Sequence, residues 1–402
     1  MTRSPAASTY LAAFTATSGI GVGNERTLDA LRSRRRGLRP CDFADVDLPT
    51  WIGMVDGVDA QPVPQELRRY DCRNNRLAEL ALRQDGMLES IRDAAGRYGA
   101  HRVGVFLGTS TAGILETELA YRRRDPTDGS LPADLDYRGT HNAFSVVDFV
   151  RRRCGLEGPA AAVSAACASS AKAFAVGRRM IAAGLIDAAL AGGVDSLCLT
   201  TLYGFHSLQL LAPGPCRPFD VVRDGLSIGE AAAFALIERT PADLARDAVL
   251  LLGTGESNDA HHMSAPHPEG LGARLAIEKA LADAQLDAGQ IDYVNLHGTG
   301  TPSNDLAESR ALLSALGSAV LCSSTKGATG HTLGAAGALE AVVVGLCLRA
   351  GVLPGGVGTT RVDTALGVNY LTDSRTAPAR RMLSNSFGFG GANCCLALGT
   401  AG

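Results

Sequence analysis

Residues 163–191 read VSAACASSAKAFAVGRRMIAAGLIDAALA. A short apolar approach leads to Cys167 and then to a predicted helix over residues 171–183, with Phe174 and Ile181 near one face. Gly184 ends this helix, and the apolar run at residues 188–191 predicts a strand. A strand and a helix in this order indicate an α/β fold.

The same alternation continues along the rest of the chain. Short apolar runs predict further strands at residues 103–107, 249–252, 293–296 and 394–398, and helical patterns cover residues 271–284 and 306–315. Strands that alternate with helices are typical of a mainly parallel sheet covered by helices. A chain of 402 residues suits one large α/β unit or two packed halves.

A later segment repeats the outline of the first. Gly334-Ala-Ala-Gly-Ala-Leu-Glu leads into a predicted helix that ends near Gly351, before apolar Val352-Leu353. Both helices begin with small residues, which allow their first turns to approach another backbone closely. The repeat predicts two related halves joined near Pro241, an N-terminal half over residues 1–245 and a C-terminal half over residues 246–402.

Charge and composition argue against several classes of partner. The net charge is −3, and no strong overall field indicates binding to nucleic acid or to a membrane. No apolar run approaches the length that a membrane helix needs, and the start of the chain, MTRSPAASTYLAAFTATSGIG, lacks a continuous apolar stretch. The ten cysteines mostly stand singly in apolar segments and suggest a reducing compartment, so we expect a cytoplasmic protein.

Cys167 is the candidate nucleophile. A cysteine at the first turn of a helix meets free backbone N–H groups and the positive end of the helix dipole, which favour its thiolate. A thiolate is the nucleophile that takes an acyl group from a thioester. A buried structural cysteine is the alternative, and the partners of Cys167 decide between the two.

Two histidines in glycine-rich loops are the candidate partners. His297 follows a predicted strand in NLHGTGTPSND, and His331 follows Lys326 by five residues in STKGATGHTLG. Two imidazole N–H groups in a dry pocket stabilise the enolate oxygen that forms when a malonyl group loses carbon dioxide. Histidines that only fix their loops are the alternative.

Three further histidines, at positions 261, 262 and 267, match no standard spacing of metal ligands, and no C-x-x-C pair is present. We therefore expect neither a metal nor a cofactor.

Near the end of the chain, NSFGFGGAN places Phe387 and Phe389 on a glycine turn. These rings either close over an acyl chain or simply fill the core, and a backbone N–H there would complete an oxyanion hole with that of Cys167.

Taken together, the motifs closely resemble the β-ketoacyl-acyl carrier protein synthases among the condensing enzymes. The resemblance spans nearly the whole chain and is carried by ACASS at Cys167, RPFDVVRDGLSIGE, NDAHHMSAPHPEG, NLHGTGTPSND at His297, STKGATGHTLGAAGALE at His331, and SNSFGFGGAN. It implies a thiolase-like α/β fold in which two pseudo-duplicated halves form five α-β-α-β-α layers. It also implies a homodimer, with a heterodimer of related subunits as a further arrangement.

The resemblance assigns roles to individual residues. Cys167 would carry the acyl group, and His297 and His331 would promote decarboxylation and hold the enolate. Lys326 would pair with Glu308 beside the active site. In addition, Phe389 would act as a gate and supply an oxyanion-hole N–H, and Thr299 and Thr301 would contact the phosphopantetheine arm.

The implied activity is an acyltransferase reaction, the decarboxylative Claisen condensation of malonyl-carrier protein with an acyl group on Cys167. The pathway is left open between fatty-acid, polyketide and aryl polyene assembly. Leu226 stands where the family often has phenylalanine, which leaves the acyl specificity open. The partner is an acyl carrier protein, and the candidate docking residues are Arg68, Arg69, Arg73 and Arg76.

Two other functions compete with this one. A thiolase or another acyltransferase that needs no carrier protein is the first, and Cys394 and Cys395 prompt that thought, although they fall in a predicted terminal strand. A non-catalytic partner that shapes a heterodimer's pocket is the second. Acylation of Cys167 from a carrier protein separates these functions from condensation.

Overall fold

The structure is a computed structural model that describes residues 8–402; residues 1–7, the start of the predicted N-terminal half, lie outside the described part. Its strands, in chain order, are β1 (Thr9–Ser18), β2 (Gly21–Val22), β3 (Arg39–Pro40), β4 (Trp51–Gly53), β5 (Val103–Gly108), β6 (Ala160–Val163), β7 (Ala188–Asp195), β8 (Ile228–Gly229), β9 (Ala231–Arg239), β10 (Val249–Asn258), β11 (Tyr293–Asn295), β12 (Leu321–Ser323), β13 (Val352–Leu353), β14 (Asn369–Tyr370), β15 (Arg375–Thr376), β16 (Arg381–Phe387) and β17 (Ala392–Thr400). Its α-helices are α1 (Asn24–Ser33), α2 (Arg73–Leu82), α3 (Met87–Tyr98), α4 (Ile114–Arg122), α5 (Ser145–Arg153), α6 (Ser169–Ala182), α7 (Leu199–Ser207), α8 (Leu271–Ala284), α9 (Pro302–Leu316), α10 (Lys326–Thr329) and α11 (Ala336–Ala350). Each strand and helix predicted from the sequence is present, although several are longer than expected.

The main sheet contains the same strand order twice. The first half runs β6-β5-β7-β9-β1 and the second runs β12-β11-β16-β17-β10, so corresponding strands occupy corresponding positions. In both halves the three outer strands are parallel and the two inner pairings are antiparallel. The repeat confirms the predicted related halves, which meet where β1 pairs with β10.

The expected mainly parallel sheet is wrong for the inner strands. β16 and β17 are joined by the short glycine turn at residues 388–391, and a tight turn can connect only antiparallel neighbours. In the first half β7 and β9 also pair antiparallel, although a longer connection that contains α7 and β8 joins them. The sheet of each half is therefore mixed.

Helices and sheets form the predicted five layers. α6 and α11 pack against each other and lie between the two halves of the sheet, within the largest buried apolar cluster. α2, α3 and α5 cover the outer face of the first half, and α8 and α9 cover that of the second. The two central helices approach closely because α11 has Gly337 at the contact, where an added Cβ would lie 2.6 Å from the backbone nitrogen of Ala171.

One helical segment is long and apolar enough to cross a membrane, contrary to the expectation from the sequence. Residues Leu333–Ala350 have a mean hydropathy of 1.7, but 89% of this stretch is buried inside the protein. The segment contains α11, which lies between the two halves of the main sheet. A helix that is apolar on all sides is typical of such a central position.

Candidate active site

Cys167 lies in the loop between β6 and α6, two residues before the helix begins at Ser169. Its neighbour Ala166 has a positive φ of 48°, an uncommon conformation for a residue other than glycine, and one that often occurs at functional sites. The loop is enclosed from the other side by Gly388, where an added Cβ would lie 3.0 Å from the backbone nitrogen of Cys167. The nucleophile is thus held by a bent backbone and is 6% exposed.

The two predicted histidines converge on this sulfur. Nε2 of His331 lies 3.0 Å from Sγ of Cys167, and the rings of His331 and His297 meet edge to face with their centroids 5.2 Å apart. One ligand-type atom from each of the three residues falls within 4.8 Å of the others. His331 is fixed by its backbone, which donates to the carbonyl of Ser227 at 2.7 Å and accepts from the N–H of Gly229 at 2.9 Å.

The environment of Cys167 favours the thiol. Burial raises the pKa of Cys167 to about 11, against the opposing effects of the Lys326 charge and the backbone N–H groups of Phe389 and Cys167. The prediction that the helix start favours the thiolate is therefore wrong for the resting protein, because desolvation outweighs the Lys326 charge and the backbone N–H groups. The sulfur becomes a nucleophile when its proton leaves, and His331 is the base within reach.

Both imidazoles are neutral near pH 7. Burial lowers the pKa of His297 well below its usual range, and the charge of Lys326 and the ring of His331 add to this effect. Burial and then Lys326 do the same for the pKa of His331. A neutral imidazole both donates and accepts a hydrogen bond, so this pair suits oxyanion stabilisation and proton exchange.

Lys326 adjoins His297 but does not pair with Glu308, so that part of the prediction is wrong. Nζ of Lys326 lies 3.4 Å from Nδ1 of His297 and forms a short ion pair with Glu340, and both charged groups are buried. An ammonium that donates to Nδ1 leaves the proton of His297 on Nε2. Lys326 therefore orients this ring and selects its tautomer.

Glu308 has a different task. Its carboxylate accepts the backbone N–H groups of His297 at 2.8 Å and Gly298 at 2.7 Å, and the side-chain amide of Asn385 at 3.1 Å. Burial raises the pKa of Glu308 to about 7, although these hydrogen bonds oppose the shift. Glu308 thus fixes the loop that carries His297.

Phe389 lies opposite the nucleophile. Its ring stacks on Phe205 at a centroid distance of 5.6 Å, and its backbone N–H acts on the sulfur of Cys167. Two N–H groups, from Phe389 and from Cys167, therefore surround the position where an acyl oxygen would develop charge. Phe387 is 8% exposed and contacts the ring of His297, so it fills the core and also lines the cavity.

One cavity joins these groups. Thr299 and Thr301 line it together with Cys167, His297, His331 and Phe389, and the two threonine hydroxyls lie 2.9 Å apart. Leu226, Phe205 and Leu210 add an apolar wall. Every residue predicted for the site thus lies in or directly beside one buried space.

Sulfur and imidazole are also metal ligands, and within residues 8–402 the only cluster of three or more such groups is the one formed by Cys167, His297 and His331. The ammonium of Lys326 lies next to this cluster, and its buried positive charge would repel a metal ion bound there. His261 and His267 approach each other at 5.2 Å between ring centroids, in an exposed loop.

Sequence reasoning missed Glu340, the true partner of Lys326. Its signal is a single carboxylate in the otherwise apolar helix α11, because a charge buried among Ala, Val and Leu needs a counter-charge. It also missed Asn385, whose amide contacts Glu308 from the neighbouring strand β16.

The arginine segment proposed for carrier docking is only partly at the surface. Arg73 is 4% exposed and pairs with buried Glu230 at 2.6 Å, so its candidate docking role is wrong. Arg76 pairs with Asp71 at 2.6 Å. Arg68 and Arg69 are exposed.

A buried thiol, two neutral imidazoles and a pair of oxyanion-directed N–H groups, set in a twice-repeated sheet, define a thiol-dependent condensing acyltransferase. Comparison with known proteins identifies the family. Residues 75–242 match the N-terminal domain of the β-ketoacyl synthases, and residues 248–360 match their C-terminal domain. The chain belongs to the β-ketoacyl synthase family.

Similar proteins cover nearly the full length of the chain. The 3-oxoacyl-[acyl-carrier-protein] synthase 2 of Vibrio cholerae is 37% identical over 94% of this chain and 95% of its own, and that of Mycobacterium bovis is 32% identical over 95% of each. Among solved structures, the ketosynthase ApeO in complex with its chain length factor ApeC, from Xenorhabdus doucetiae, is 37% identical over 98% of both chains with a TM-score of 0.88. A β-ketoacyl synthase from Burkholderia phymatum is 30% identical, over 98% of this chain and 100% of its own, with a TM-score of 0.85.

Proposed function

We propose that this enzyme elongates acyl chains on an acyl carrier protein by decarboxylative Claisen condensation, in a fatty-acid, polyketide or aryl polyene type pathway. The observation that carries the proposal is the convergence of Cys167, His297 and His331 within 4.8 Å in one cavity. The matched relatives are named as 3-oxoacyl-[acyl-carrier-protein] synthases, which supports the carrier as the source of both substrates.

The first half-reaction is acyl transfer. His331 accepts the proton of the Cys167 thiol, and the sulfur attacks the acyl thioester carbonyl. The N–H groups of Cys167 and Phe389 hold the tetrahedral oxyanion, which collapses as the carrier thiolate leaves and takes the proton. The acyl group is now a thioester of Cys167.

The second half-reaction is condensation. The bond between the malonyl carboxylate and its α-carbon breaks, carbon dioxide leaves, and the electron pair forms an enolate whose oxygen faces the N–H groups of His297 and His331. The enolate carbon then attacks the acyl carbonyl, and the Cys167 thiolate leaves as the β-ketoacyl-carrier forms. The Cys167 thiolate then takes up one proton from solvent, through His331, and the resting thiol is restored. No step needs an oxidant, a reductant or an electrophile beyond the groups of the site, so we propose that neither metal nor cofactor takes part.

We also propose a dimer in the cytoplasm. The strand β6, with the sequence Ala-Ala-Ala-Val, ends the main sheet and leaves one edge open, and an apolar edge of this kind favours pairing with a second subunit. The solved ApeO structure contains a chain length factor, which supports a related subunit as an alternative to a second copy.

Mass spectrometry after incubation with a panel of acyl-carrier proteins tests the function. We expect one acyl group to add to the wild-type chain and none to the Cys167→Ala variant, and malonyl-carrier protein then to release a product two carbons longer. Acylation from coenzyme A thioesters alone would instead indicate a thiolase-type enzyme. Cys394 and Cys395 do not favour that alternative, because both are buried within strand β17.

A further inference from the structure

Asp195 is a fully buried carboxylate at the end of strand β7, beside the catalytic cavity but outside its lining. In the part of the chain that the structure describes, no lysine, arginine or histidine pairs with it. A buried charge without a counter-charge is costly unless hydrogen bonds compensate for the lost water. The groups that bind Asp195 therefore indicate what it does.

Five donor groups converge on this carboxylate. Four belong to the loop after β5, namely the hydroxyls of Thr109 and Thr111 and the N–H groups of Ser110 and Thr111, each at 2.8 Å. The fifth is the backbone N–H of Gly334 at 2.5 Å. Because an N–H group can only donate, both carboxylate oxygens act as acceptors, which suits the ionised form, although burial raises the pKa of Asp195.

The loop of residues 109–111 connects Asp195 to the nucleophile. β5 and β7 are parallel neighbours, so Asp195 and this loop meet at the same edge of the sheet. β6 pairs with the other side of β5 and leads to Cys167. The hydroxyl of Ser110 lies 3.5 Å from the carbonyl oxygen of Ala166, so the loop contacts the backbone just before the nucleophile.

The N–H of Gly334 connects Asp195 to the turn of residues 331–335, which carries His331. Leu333, within this turn, has a φ of 52°, a conformation that a residue with a side chain rarely adopts and that persists only where neighbouring contacts hold it. Gly334 fits closely, since an added Cβ would lie 2.8 Å from Oδ2 of Asp195. Asp195 thus attaches the turn of the base to the loop beside the nucleophile.

The charge of Asp195 also acts on the sulfur. Burial, and then the charge of Asp195, raise the pKa of Cys167, whereas the charge of Lys326 lowers it. The titratable groups around the sulfur are Asp195, Lys326 with its partner Glu340, and the neutral rings of His297 and His331. The buried anion therefore favours the thiol of the resting site.

We propose that Asp195 is a positioning residue for acylation, because its carboxylate joins the loop 109–111 to the turn 331–335 and so keeps Nε2 of His331 beside the sulfur of Cys167. The inference rests on the proposed function, since acylation of Cys167 is the step that it affects. Asp195 lies outside the cavity lining, so its replacement should slow acylation without changing the KM for the acyl donor.

Asp195→Asn tests the position of the turn. The variant keeps the shape of the side chain, but its single oxygen faces the four donors of the loop 109–111, and its NH2 group faces the N–H of Gly334. Two donors then oppose each other and the turn loses its attachment. We expect acylation from an acyl-carrier thioester, measured by quenched-flow mass spectrometry, to slow at least about tenfold at an unchanged KM.

Loss of the charge should have the opposite effect on alkylation of Cys167. Without the anion the thiolate fraction is larger, so iodoacetamide should modify the native protein at least about threefold faster at about pH 8. Peptide mass spectrometry over a series of pH values should also show the rate of Asp195→Asn levelling off at a lower pH than that of the wild type. A merely loosened structure would not move this pH.

Thr111→Val is the matched control. It removes one donor from the same carboxylate and the acceptor of the Ser196 N–H at 3.2 Å, but it keeps the charge and the bond to Gly334. We expect lower stability in urea, with acylation and alkylation changed less than about twofold.

Gly334→Ala separates position from charge. Its Cβ would force the turn away from Asp195 while the anion stays, so we expect slow acylation with the wild-type pH profile of alkylation. This variant decides the proposal if Asp195→Asn does not fold.

Acylation at the wild-type rate in folded Asp195→Asn or Gly334→Ala, equal slowing in Thr111→Val, or an effect on KM alone would overturn the proposal. If the wild-type chain accepts no acyl group from any donor, the proposed function is rejected instead. Crystal structures of the wild type and Asp195→Asn then decide the role of Asp195. We expect the separation of 3.0 Å between Nε2 of His331 and Sγ of Cys167 to increase in the variant, and an unchanged separation would overturn the proposal.

Discussion

At the scale of single residues, the protonation state of Cys167 decides how the enzyme begins its reaction. The thiol is paired with a neutral imidazole, because burial raises the pKa of the sulfur to about 11 and lowers the pKa of His331. A proton must therefore be transferred during acylation, and the resting site holds no thiolate–imidazolium pair. This state protects a buried nucleophile from reagents that attack thiolates.

The pH dependence of alkylation follows from this state. The thiolate fraction of Cys167 rises with pH as long as the pH is below the pKa of about 11, so the rate of modification by iodoacetamide should increase roughly tenfold per unit between about pH 7 and 10. Peptide mass spectrometry at a series of pH values measures this rate, and Cys167→Ala identifies the signal. The cysteine of a short unstructured peptide should level off near its own pKa of about 8.5. A constant rate between pH 6 and 8 would mean that an ion pair exists, contrary to the structure.

Lys326 and its partner show where residue-level prediction ends. Sequence spacing and family resemblance placed Lys326 beside the histidines, and it contacts His297. The resemblance suggested Glu308 as the counter-charge of Lys326. In the structure Glu308 instead accepts the backbone N–H of His297, and the ammonium of Lys326 pairs with Glu340. Two carboxylates of the same chemistry compete for one cation, and only their positions in space distinguish them.

At the scale of elements, the contact between α6 and α11 holds the site together. α6 begins two residues after Cys167, and α11 carries Glu340. The helices meet at Gly337 and Ala171, where the absence of a side chain allows the backbones to approach. A change in their separation would therefore move the nucleophile relative to Lys326 and His297.

Two glycines of α11 provide a matched comparison. Gly337→Ala places a Cβ 2.6 Å from the backbone of Ala171, so we expect a loss of about 1–3 kcal/mol of unfolding free energy and slower acylation. Gly345→Ala places a Cβ 3.5 Å from the ring of Phe14, which is ordinary contact, and should stabilise the helix by up to about 1 kcal/mol. Urea unfolding of both variants measures the difference. Equal stability of the two would show that the helix contact is not as close as the structure has it.

At the scale of the whole molecule, the twofold repeat brings distant segments to one site. The first half contributes Cys167, and the second contributes His297, Lys326 and His331, so neither half contains a complete site. The predicted division at residues 245 and 246 falls in the link between β9 and β10. That each half is a domain in its own right stays a prediction.

Glu230 joins several segments of the first half from a fully buried position. Its carboxylate accepts the backbone N–H groups of Val55 and Leu197 at 2.9 Å each, and it pairs with Arg73 on α2. Arg73→Met would leave this charge buried without its partner, so we expect a loss of about 3–5 kcal/mol of unfolding free energy.

The neighbouring Arg69 provides the control for this prediction. Arg69 is exposed and pairs with Asp136 at 3.2 Å, so Arg69→Met should cost less than about 1 kcal/mol. Thermal and urea unfolding compare the two variants. A similar loss in both would contradict a structural role that is specific to the buried pair.

The sequence by itself determined the fold class, the repeat, and the identity of the thiol and the two imidazoles, because periodicity, glycine turns and ordered motifs are local properties of a chain. Tertiary structure alone decided the antiparallel inner strands, the pairing of Lys326 with Glu340 and the raised pKa of Cys167. These depend on which groups meet across long sequence separations and on how completely water is removed from around them. Neither quantity can be read from the order of residues in one chain.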